Sequence, residues 1–469
     1  MRPGSRLVTL AVLLVCSALA SAQDDQHQKL DRQFQSAVAD YDSGKFAEAA
    51  SQLEMLLPYA PKSFEIHELL GLAYAAQSKD GKAIEHFQIA VQLKPDSAAA
   101  HTNLAASLSH LGKTEQAGEQ FRKALALEPH DYDANHNLGE YYIQTGKLAD
   151  AAPNLEEAQR INPGSYDNGF DLATAYLLTG KPDSARHVVE SLLKQKDTGE
   201  LHSLLGQIDE KDGKYLDAVN EFQAAAHMDP SEDNLFHWGS ELLLHRTYEP
   251  AIEVFQKGTE LYPKSPRMFI GLGMALYSRG KYDDAVTALL SAADLDPSDP
   301  RCYYFLSKAY DSSPTHADEV IQRFRRFSEL QPGSGRACYY YAMSLWKGRR
   351  AEEPDVDLQQ VKSLLEKSVS LDPKLAEAHL QLGNLYSDQH DYVNAGPEYE
   401  QALKLNPDLA DAHYRLGQVY VHTGQKDRAQ QEFDVYQHLR AQHMAELDKE
   451  RAEVQQFVYT AKAAPAAKP

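Results

Sequence analysis

Positive charge is scarce in this sequence. It has 47 Lys and Arg residues against 68 Asp and Glu, which gives a formal net charge of −21 at pH 7. A surface with such an excess of negative charge repels nucleic-acid phosphates and anionic lipid headgroups. The composition therefore argues against a protein that binds nucleic acid or an anionic membrane through its surface as a whole.

The sequence also lacks the short motifs that mark common catalytic and cofactor sites. Neither an H-E-x-x-H zinc motif nor a G-x-S-x-G nucleophile motif occurs. Residues 112–114 (Gly-Lys-Thr) are similar to the end of a phosphate-binding loop, but Ser107 stands where that loop requires a glycine. Gly271 and Gly273 lack the third glycine of a dinucleotide-binding loop. We therefore predict that the protein is not an enzyme and that it has no cofactor and no bound metal.

Cysteine is rare, and only Cys302 and Cys338 lie outside the N-terminal segment. An oxidising compartment would allow a disulfide between them, which requires Cα atoms within about 7 Å of each other. The alternative, which we favour, is that both are small buried apolar residues.

Long apolar runs are absent except near the N-terminus. The run at residues 7–20 is too short to span a membrane, and small residues at 20–22 fit a cleavage site. We therefore predict a signal peptide at residues 1–22 and export to the periplasm or out of the cell. A lipid anchor at Cys16 is a lesser alternative. Lipoprotein signals resemble one another in having a small residue before the cysteine, and Val15 stands there instead.

What the sequence does contain is a repeated pattern of small and large apolar residues. In residues 64–97 these are Leu70, Gly71, Tyr74, Ala83, Phe87 and Ala90. The first three and the last three each have a spacing that places them on one face of a helix. Residues 79–81 form a turn between the two sets, and Pro95 ends the second. The stretch therefore predicts two helices joined by a short turn.

The same pattern recurs with a period of 34 residues. One period later the matching residues are Leu104, Ala105, Leu108, Ala117, Phe121, Ala124 and Pro129. Two periods later they are Leu138, Gly139, Tyr142, Ala151, Leu155, Ala158 and Pro163. Because seven positions recur together, the sequence resembles the tetratricopeptide repeat family. The resemblance implies an all-α fold, a right-handed α-solenoid of about twelve helix-turn-helix repeats, and a role in interaction rather than in catalysis.

Repeats occupy nearly the whole chain. The predicted segments are a signal peptide at 1–22, a linker at 23–29, the solenoid at 30–436 with an insertion near 348–357, a C-terminal capping helix extension at 437–460, and a disordered Ala/Pro/Lys tail at 461–469. Pro153 and Pro397 fall inside predicted second helices, where each removes a backbone hydrogen bond. We expect local distortion at both prolines.

We number repeat positions from the first residue of each first helix, so that Phe64 is position 1 of the second repeat. Histidine recurs at position 4, in His67, His101, His202, His379 and His413. Copies of one position in neighbouring repeats lie about 8–10 Å apart, too far to share a zinc ion bound at about 2.0–2.1 Å. We interpret these histidines as half-buried amphipathic residues.

A second stripe runs along the first helices, at repeat positions 2, 5 and 9. In proteins that this sequence resembles, that face lines the concave groove in which extended peptides bind. In repeats seven to ten the stripe contains Phe236, Arg267, Ile270, Met274, Arg301, Tyr304, Lys308, Arg336, Tyr339 and Met343. Arginine pairs bidentately with carboxylates and tyrosine offers rigid contact area, so we predict a binding site for a peptide with acidic groups. In the alternative, the arginines are solvated or pair with acids of neighbouring repeats, and the aromatic residues pack between first helices.

The sequence thus predicts a non-catalytic, exported scaffold that binds an extended peptide or protein segment, a role that would suit envelope assembly or secretion. Two other classes stay open. One is a substrate-presenting or regulatory component of a carbohydrate-modifying enzyme system, since similar repeats precede glycosyltransferase domains, although no stretch here is long enough for a catalytic domain. The other is a self-associating structural protein, against which the predicted capping helix argues.

Overall fold

The computed structural model describes residues 21–313, 316–347 and 358–463, with side chains from residue 28 to residue 445 within these ranges. In this part of the chain 24 α-helices occur and no β-strand. The helices follow one another as twelve pairs, so the predicted all-α solenoid of about twelve helix-turn-helix repeats is confirmed. The chain divides into two compact units, Met1–Pro230 (unit 1) and Ser231–Pro469 (unit 2).

Unit 1 contains six helix pairs. Their helices are α1 (Ser21–Asp42), α2 (Phe46–Leu56), α3 (Phe64–Ala75), α4 (Asp80–Leu93), α5 (Ala98–His110), α6 (Thr114–Leu127), α7 (Tyr132–Gln144), α8 (Leu148–Ile161), α9 (Tyr166–Leu178), α10 (Pro182–Leu193), α11 (Gly199–Lys211) and α12 (Tyr215–Met228).

Unit 2 contains the other six pairs. Their helices are α13 (Glu232–Leu244), α14 (Tyr248–Leu261), α15 (Pro266–Arg279), α16 (Tyr282–Leu295), α17 (Pro300–Ser312), α18 (Ala317–Leu330), α19 (Gly335–Lys347), α20 (Leu358–Leu371), α21 (Ala376–Asp388), α22 (Tyr392–Leu405), α23 (Ala410–His422) and α24 (Lys426–Ala463).

The predicted segments outside the repeats fall in different places. The signal peptide lies almost wholly outside the described residues, and so do the insertion at 348–357 and most of the C-terminal tail. Residues 23–29, predicted as a linker, belong to the backbone of α1. Residues 437–460, predicted as a helical extension, belong to α24.

Side-chain caps set where many of the first helices begin. In unit 1 the Ser97 hydroxyl accepts a hydrogen bond from the Ala100 amide at 3.3 Å, and Asp131 accepts one from the Ala134 amide at 2.8 Å. In unit 2 Asp299 accepts one from the Arg301 amide at 2.9 Å. Each cap satisfies an amide with no partner inside the helix, which stabilises it by about 1 kcal/mol.

In the repeats whose turn the structure describes, the turn between the two helices contains one residue with a left-handed backbone. Gly112 in unit 1 and Gly280 in unit 2 supply it, with φ of +70° and +84°. At the matching position Ser78 and His390 adopt φ of 56° and 57°, a conformation that strains residues with a side chain. The turn geometry is therefore kept even where glycine is absent.

Small residues at position 8 let the two helices of a pair approach closely. A Cβ atom on Gly206 would lie 2.8 Å from the Phe222 ring, and one on Gly383 would lie 2.8 Å from the Tyr399 ring. The large side chain at position 24 thus fills the space that the glycine leaves. Burial of such a ring stabilises each pair by roughly 1.5–3 kcal/mol.

Polar contacts join neighbouring repeats within each unit. The tyrosine at position 11 donates its hydroxyl proton to a glutamate of the preceding repeat, as in Tyr176–Glu156 at 2.8 Å and Tyr420–Glu400 at 2.7 Å. The same bond recurs twenty residues apart in both units, so it belongs to the repeat rather than to a functional site.

The two prolines within second helices do not interrupt them. Pro153 lies inside α8 and Pro397 inside α22, and each helix has 14 residues. Proline-free second helices such as α6 have the same length. Whatever distortion the prolines introduce is absorbed within a continuous helix.

Candidate functional site

Arg267, the first of the three arginines at position 2, is held by acidic residues of the preceding repeat. Its Nε donates to Glu232 Oε1 and its Nη2 to Asp233 Oδ1, both at 2.5 Å. The guanidinium carbon also lies 5.1 Å from the centroid of the Phe236 ring. These contacts link α15 to α13 within unit 2. The Arg267 guanidinium is thus already bound by two carboxylates and by the Phe236 ring.

Arg301 is bound by Asp299, the residue that caps its own helix. Its Nη2 donates to Asp299 Oδ2 at 2.7 Å and its Nε to Oδ1 at 3.0 Å. The Arg301 hydrogen bonds hold the pKa of Asp299 below its usual value. The side chain of Arg301 is 71% exposed, so its outer N–H groups still face solvent.

Arg336 differs from the other two. It lies on the surface at the start of α19, close to the hydroxyl of Tyr340. Among the described residues no carboxylate lies within ion-pair distance of its guanidinium. It is therefore the arginine of this set with the most hydrogen-bonding capacity left for a ligand.

A cleft of about 250 Å³ opens between α17 and α19. Helix α17 contributes Pro300, Arg301, Tyr304 and Phe305 to its walls. The remaining walls come from Phe327 of α18, Ser334 before α19, and Arg336 and Tyr340 of α19. The cleft therefore brings together three of the residues predicted for the site: Arg301, Tyr304 and Arg336.

Stacked aromatic rings make the base of this cleft rigid. Tyr303 and Phe327 stack with ring centroids 4.0 Å apart, and Phe324 and Tyr340 lie 5.6 Å apart. Burial raises the pKa of Tyr340 to about 12, so its hydroxyl stays protonated and able to donate. The result is an apolar base with arginine N–H groups at its rim.

The other predicted residues lie around this cleft or away from it. Lys308 is exposed, with its ammonium nitrogen 5.9 Å from the centroid of the Tyr304 ring. Met274 and Met343 are half-buried, and Ile270 is buried. Tyr339 packs against the cluster around Ala342 and Leu365, which leaves it little surface for a ligand.

Sequence reasoning missed the cleft's aromatic walls. Phe305 and Tyr340 both stand at position 6, one residue beyond the predicted stripe. Position 6 lies four residues after position 2, so a helical spacing rule could have found them. Phe327 could not be found in this way, because it belongs to a second helix whose sequence register is shifted by one residue from that of the other repeats.

The position-4 histidines link the parts of a repeat. In His379 one ring nitrogen lies 3.2 Å from the Pro373 carbonyl and the other 2.6 Å from Glu398. His101 makes the matching contact to the Pro95 carbonyl at 3.0 Å, and so does the hydroxyl of Tyr303 to Pro297 at 3.1 Å. His67, His101 and His379 are more deeply buried than predicted, because each bridges a closing turn and a second helix.

No group of three or more potential metal ligands occurs in the described part of the chain. Cys302 and Cys338 are free and buried, and burial raises the pKa of Cys302 to about 12. The alternative favoured from the sequence, that both are small buried residues, therefore fits the structure. Among the helices described, none is long and apolar enough to cross a membrane.

Models of a known repeat family match both units. The model described as "Tetratricopeptide repeat" matches residues 34–98 and 102–166 in one version and residues 142–208 and 387–449 in another. A model described as "TPR repeat" matches residues 273–311. Together the matches cover more than half of the chain.

Curated relatives match only parts of the chain. The TPR repeat-containing protein YpiA of Bacillus subtilis is 25% identical over 191 residues, 40% of this chain and 43% of that protein. The human protein O-mannosyl-transferase TMTC1 is 23% identical over 155 residues, 33% of this chain and 17% of that protein. The chain spans less than half the length of these relatives.

Solved structures of repeat proteins resemble the fold. A tetratricopeptide repeat protein from Parabacteroides merdae has a TM-score of 0.42 at 18% identity, over 53% of this chain and 99% of that chain. The Cut9–Hcn1 hetero-tetramer of the APC/C has a TM-score of 0.38 at 13% identity, over 87% of this chain and 93% of that chain. At this identity the likeness concerns the fold alone.

Proposed function

Because the chain belongs to the tetratricopeptide repeat family, we propose that it is a non-catalytic scaffold that binds a protein partner. Unit 2 is the binding unit in this proposal, and the partner presents an extended segment with acidic groups. The segment lies along the first helices α15, α17 and α19. Of the ten residues predicted for the site, Arg301, Tyr304 and Arg336 make its centre, because they share one cleft.

The observation that carries the proposal is the state of Arg336. An exposed arginine that has no carboxylate partner in the part of the chain that the structure describes, next to a second arginine and above an aromatic base, fits a ligand carboxylate. Arg267 has a different part, since it pairs with two carboxylates of the preceding repeat and its side chain is only 34% exposed, against 71% for Arg301. We assign Arg267 to bracing α15 against α13.

The helix dipole supports a functional reading of these arginines. The positive end of a helix favours acidic residues in its first turn and disfavours cations by about 0.3–1 kcal/mol. Helices α15, α17 and α19 have no acidic residue in the first turn, and each carries an arginine there instead. The dipoles of their own helices disfavour these charges. Contacts to Asp299 and to Glu232 offset this for Arg301 and Arg267, so Arg336 is the arginine that most favours a role in binding.

Selection from a random-peptide display library against the full chain tests the proposal. We expect the enriched peptides to be acidic, because the exposed arginines attract carboxylates. The double variant Arg301→Glu with Arg336→Glu should fail to enrich them. Its matched control is Arg325→Glu, since Arg325 is an exposed arginine of α18 that pairs with Glu329 and lies outside the cleft.

Two results would contradict the proposal. Enriched peptides with no excess of acidic residues would remove the reason for assigning the arginines to binding. Equal enrichment by the double variant and by wild type would place the binding surface elsewhere. Thermal unfolding of every variant shows whether a loss of enrichment reflects the site or the fold.

Export is a separate part of the proposal. It rests on the pattern of residues 1–22, with basic residues, a short apolar run and small residues in the order of a signal peptide. N-terminal sequencing of the protein from its native host should start after Ala22. A mature chain that still begins at Met1 would contradict export by this route.

A further inference from the structure

Resting on this proposed function, we propose a defined anchor for the partner. The cleft between α17 and α19 takes one bulky apolar side chain, preferably aromatic. A neighbouring acidic residue of the same internal segment is bound by Arg336 and Arg301. The cleft thus recognises an acidic residue next to an aromatic one, rather than negative charge alone.

The size of the cleft suits a single side chain. Its volume of about 250 Å³ is below the roughly 300–1,000 Å³ of sites that enclose drug-sized ligands. Phe305 and Tyr304 are perpendicular neighbours with centroids 5.1 Å apart, and Phe327 is held by its stack on Tyr303. The buried Phe327 ring and the half-buried Phe305 ring offer edges and faces to an incoming ring.

The polar groups lie at the rim, where a residue next to the buried one would place its carboxylate. Arg301 and Arg336 line opposite sides, one on each first helix. The first turns of α17 and α19 add the positive ends of two helices on the same side. Arg336 carries the larger share, because Arg301 already donates to Asp299.

The surface beyond the cleft favours an internal segment over a chain terminus. Lys308 on α17 and Met343 on α19 extend the same face past Tyr304, and both have surface to offer. On the preceding first helices, α13 and α15, Phe236 and Arg267 belong to the same stripe. A bound segment can therefore run past the cleft at both ends, whereas a terminal carboxylate would use the cleft alone.

Fluorescence anisotropy with matched synthetic peptides on the full chain tests the anchor. The probes are an internal Glu-Phe peptide, the same peptide with Gln-Phe, the same with Glu-Gly, one with Glu and Phe separated by a Gly/Ser spacer, and one that ends in a free Phe carboxylate. We expect the adjacent Glu-Phe peptide to bind about tenfold more tightly than each of the others, which corresponds to about 1.4 kcal/mol.

Three variants assign the effect to the cleft. Arg336→Gln should weaken Glu-Phe binding to the level of the Gln-Phe peptide and leave Gln-Phe binding unchanged. Tyr304→Ala should remove the affinity that the Phe ring of the peptide adds. Because the Tyr304 side chain is 41% exposed, we expect no folding defect. Arg325→Gln, outside the cleft, should change nothing.

The possible results separate the anchor from the proposed function. Equal affinity for the adjacent and separated peptides, both lost in Arg336→Gln, overturns the anchor and leaves acidic-segment binding standing. Tighter binding of the free Phe carboxylate overturns the internal segment in favour of a chain terminus. Failure of every acidic peptide to bind overturns both.

Discussion

Repeat position 2 is acidic in most repeats of unit 1 and at Asp233, Glu377 and Asp411 of unit 2, but it is basic in the three successive repeats between Asp233 and Glu377. In unit 1 it holds Glu65, Asp133, Asp167 and Glu200, whereas in unit 2 three successive repeats hold Arg267, Arg301 and Arg336. The acids have a local explanation, since they lie in first turns where the helix dipole favours negative charge. Among the arginines, Arg301 bonds to the cap residue of its own helix, whereas Arg267 and Arg336 have no such explanation within their own helices. The difference shows where unit 2 departs from what helix stability alone favours.

The two units share their packing even though their surfaces differ. Position 24 is a buried phenylalanine in Phe121 of unit 1 and in Phe255 of unit 2, each fully buried. Position 11 uses the same tyrosine–glutamate bond in both. The difference in charge at position 2 therefore leaves the shared core unchanged, which a repeat fold allows because each repeat packs only on its neighbours.

Loss of the phenylalanine ring at position 24 should lower the free energy of unfolding the most, and by the same amount in the two units. Phe121→Ala and Phe255→Ala each leave a cavity at position 24, which destabilises by about 3–5 kcal/mol. Guanidinium unfolding followed by circular dichroism measures both. A much smaller loss of stability in one unit would show that position 24 does not contribute equally to the cores of the two units.

Glu68 of unit 1 is a buried carboxyl at position 5, where unit 2 has only aromatic or aliphatic residues. Burial raises the pKa of Glu68 to about 7, although Asn103 donates to it at 2.6 Å. Its second carboxylate oxygen has no hydrogen-bond partner among the described residues. Ionisation of this carboxyl should therefore destabilise unit 1.

The sign of the pH dependence follows from this shift. The unfolded chain loses the proton near its ordinary pKa of about 4.3 and the folded chain only near 7, so stability falls as the pH rises through this window. Glu68→Gln should remove the fall and raise the free energy of unfolding above about pH 8 by on the order of 1–3 kcal/mol. Denaturation at several pH values measures the difference, and parallel curves for wild type and variant would contradict it.

Loss of the inter-repeat tyrosine–glutamate hydrogen bond should have a smaller effect on the free energy of unfolding, and Tyr310 of unit 2 should be an exception. Tyr176→Phe and Tyr420→Phe each lose a hydrogen bond to glutamate and should destabilise by about 1 kcal/mol. Tyr310 occupies the same position, but Leu290 stands where the glutamate would be and its buried hydroxyl has no partner among the described residues. Tyr310→Phe should be neutral or stabilising. A loss equal to that of Tyr420→Phe would show that Tyr310 has a hidden partner.

The charge contrast itself should have the smallest effect on stability, with opposite signs in the two units. Asp167→Asn removes a favourable charge and Arg336→Gln an unfavourable one, so the first should lower and the second raise the free energy of unfolding by about 0.3–1 kcal/mol. Both residues are exposed, which keeps other changes small. Unfolding at low salt measures them, and a loss of stability in Arg336→Gln would give this arginine a structural role.

The repeated fold could be predicted from sequence because its signals are local. Gly206 opposite Phe222 and Ser97 before α5 each act within one helix pair. The period of the apolar residues then sets the number of repeats. Pro153 shows the limit of local reasoning, since its helix is continuous although the residue alone disfavours it.

The candidate site could be predicted only in part. Helical spacing placed Arg301, Tyr304 and Arg336 on one face, and the structure brings these three to one cleft. Helical spacing could not show that Glu232 and Asp233 would pair with Arg267. That outcome depends on where two long side chains meet across neighbouring helices, which spacing within one helix does not determine.

A double-mutant cycle between Arg336 and the acidic residue of the Glu-Phe peptide tests the central claim most directly. The four affinities of wild type and Arg336→Gln for the Glu-Phe and Gln-Phe peptides give the coupling energy between guanidinium and carboxylate. A direct charged hydrogen bond predicts a coupling of at least about 1 kcal/mol. Effects that add to within about 0.3–0.5 kcal/mol would contradict it, because they would show that the two groups do not meet.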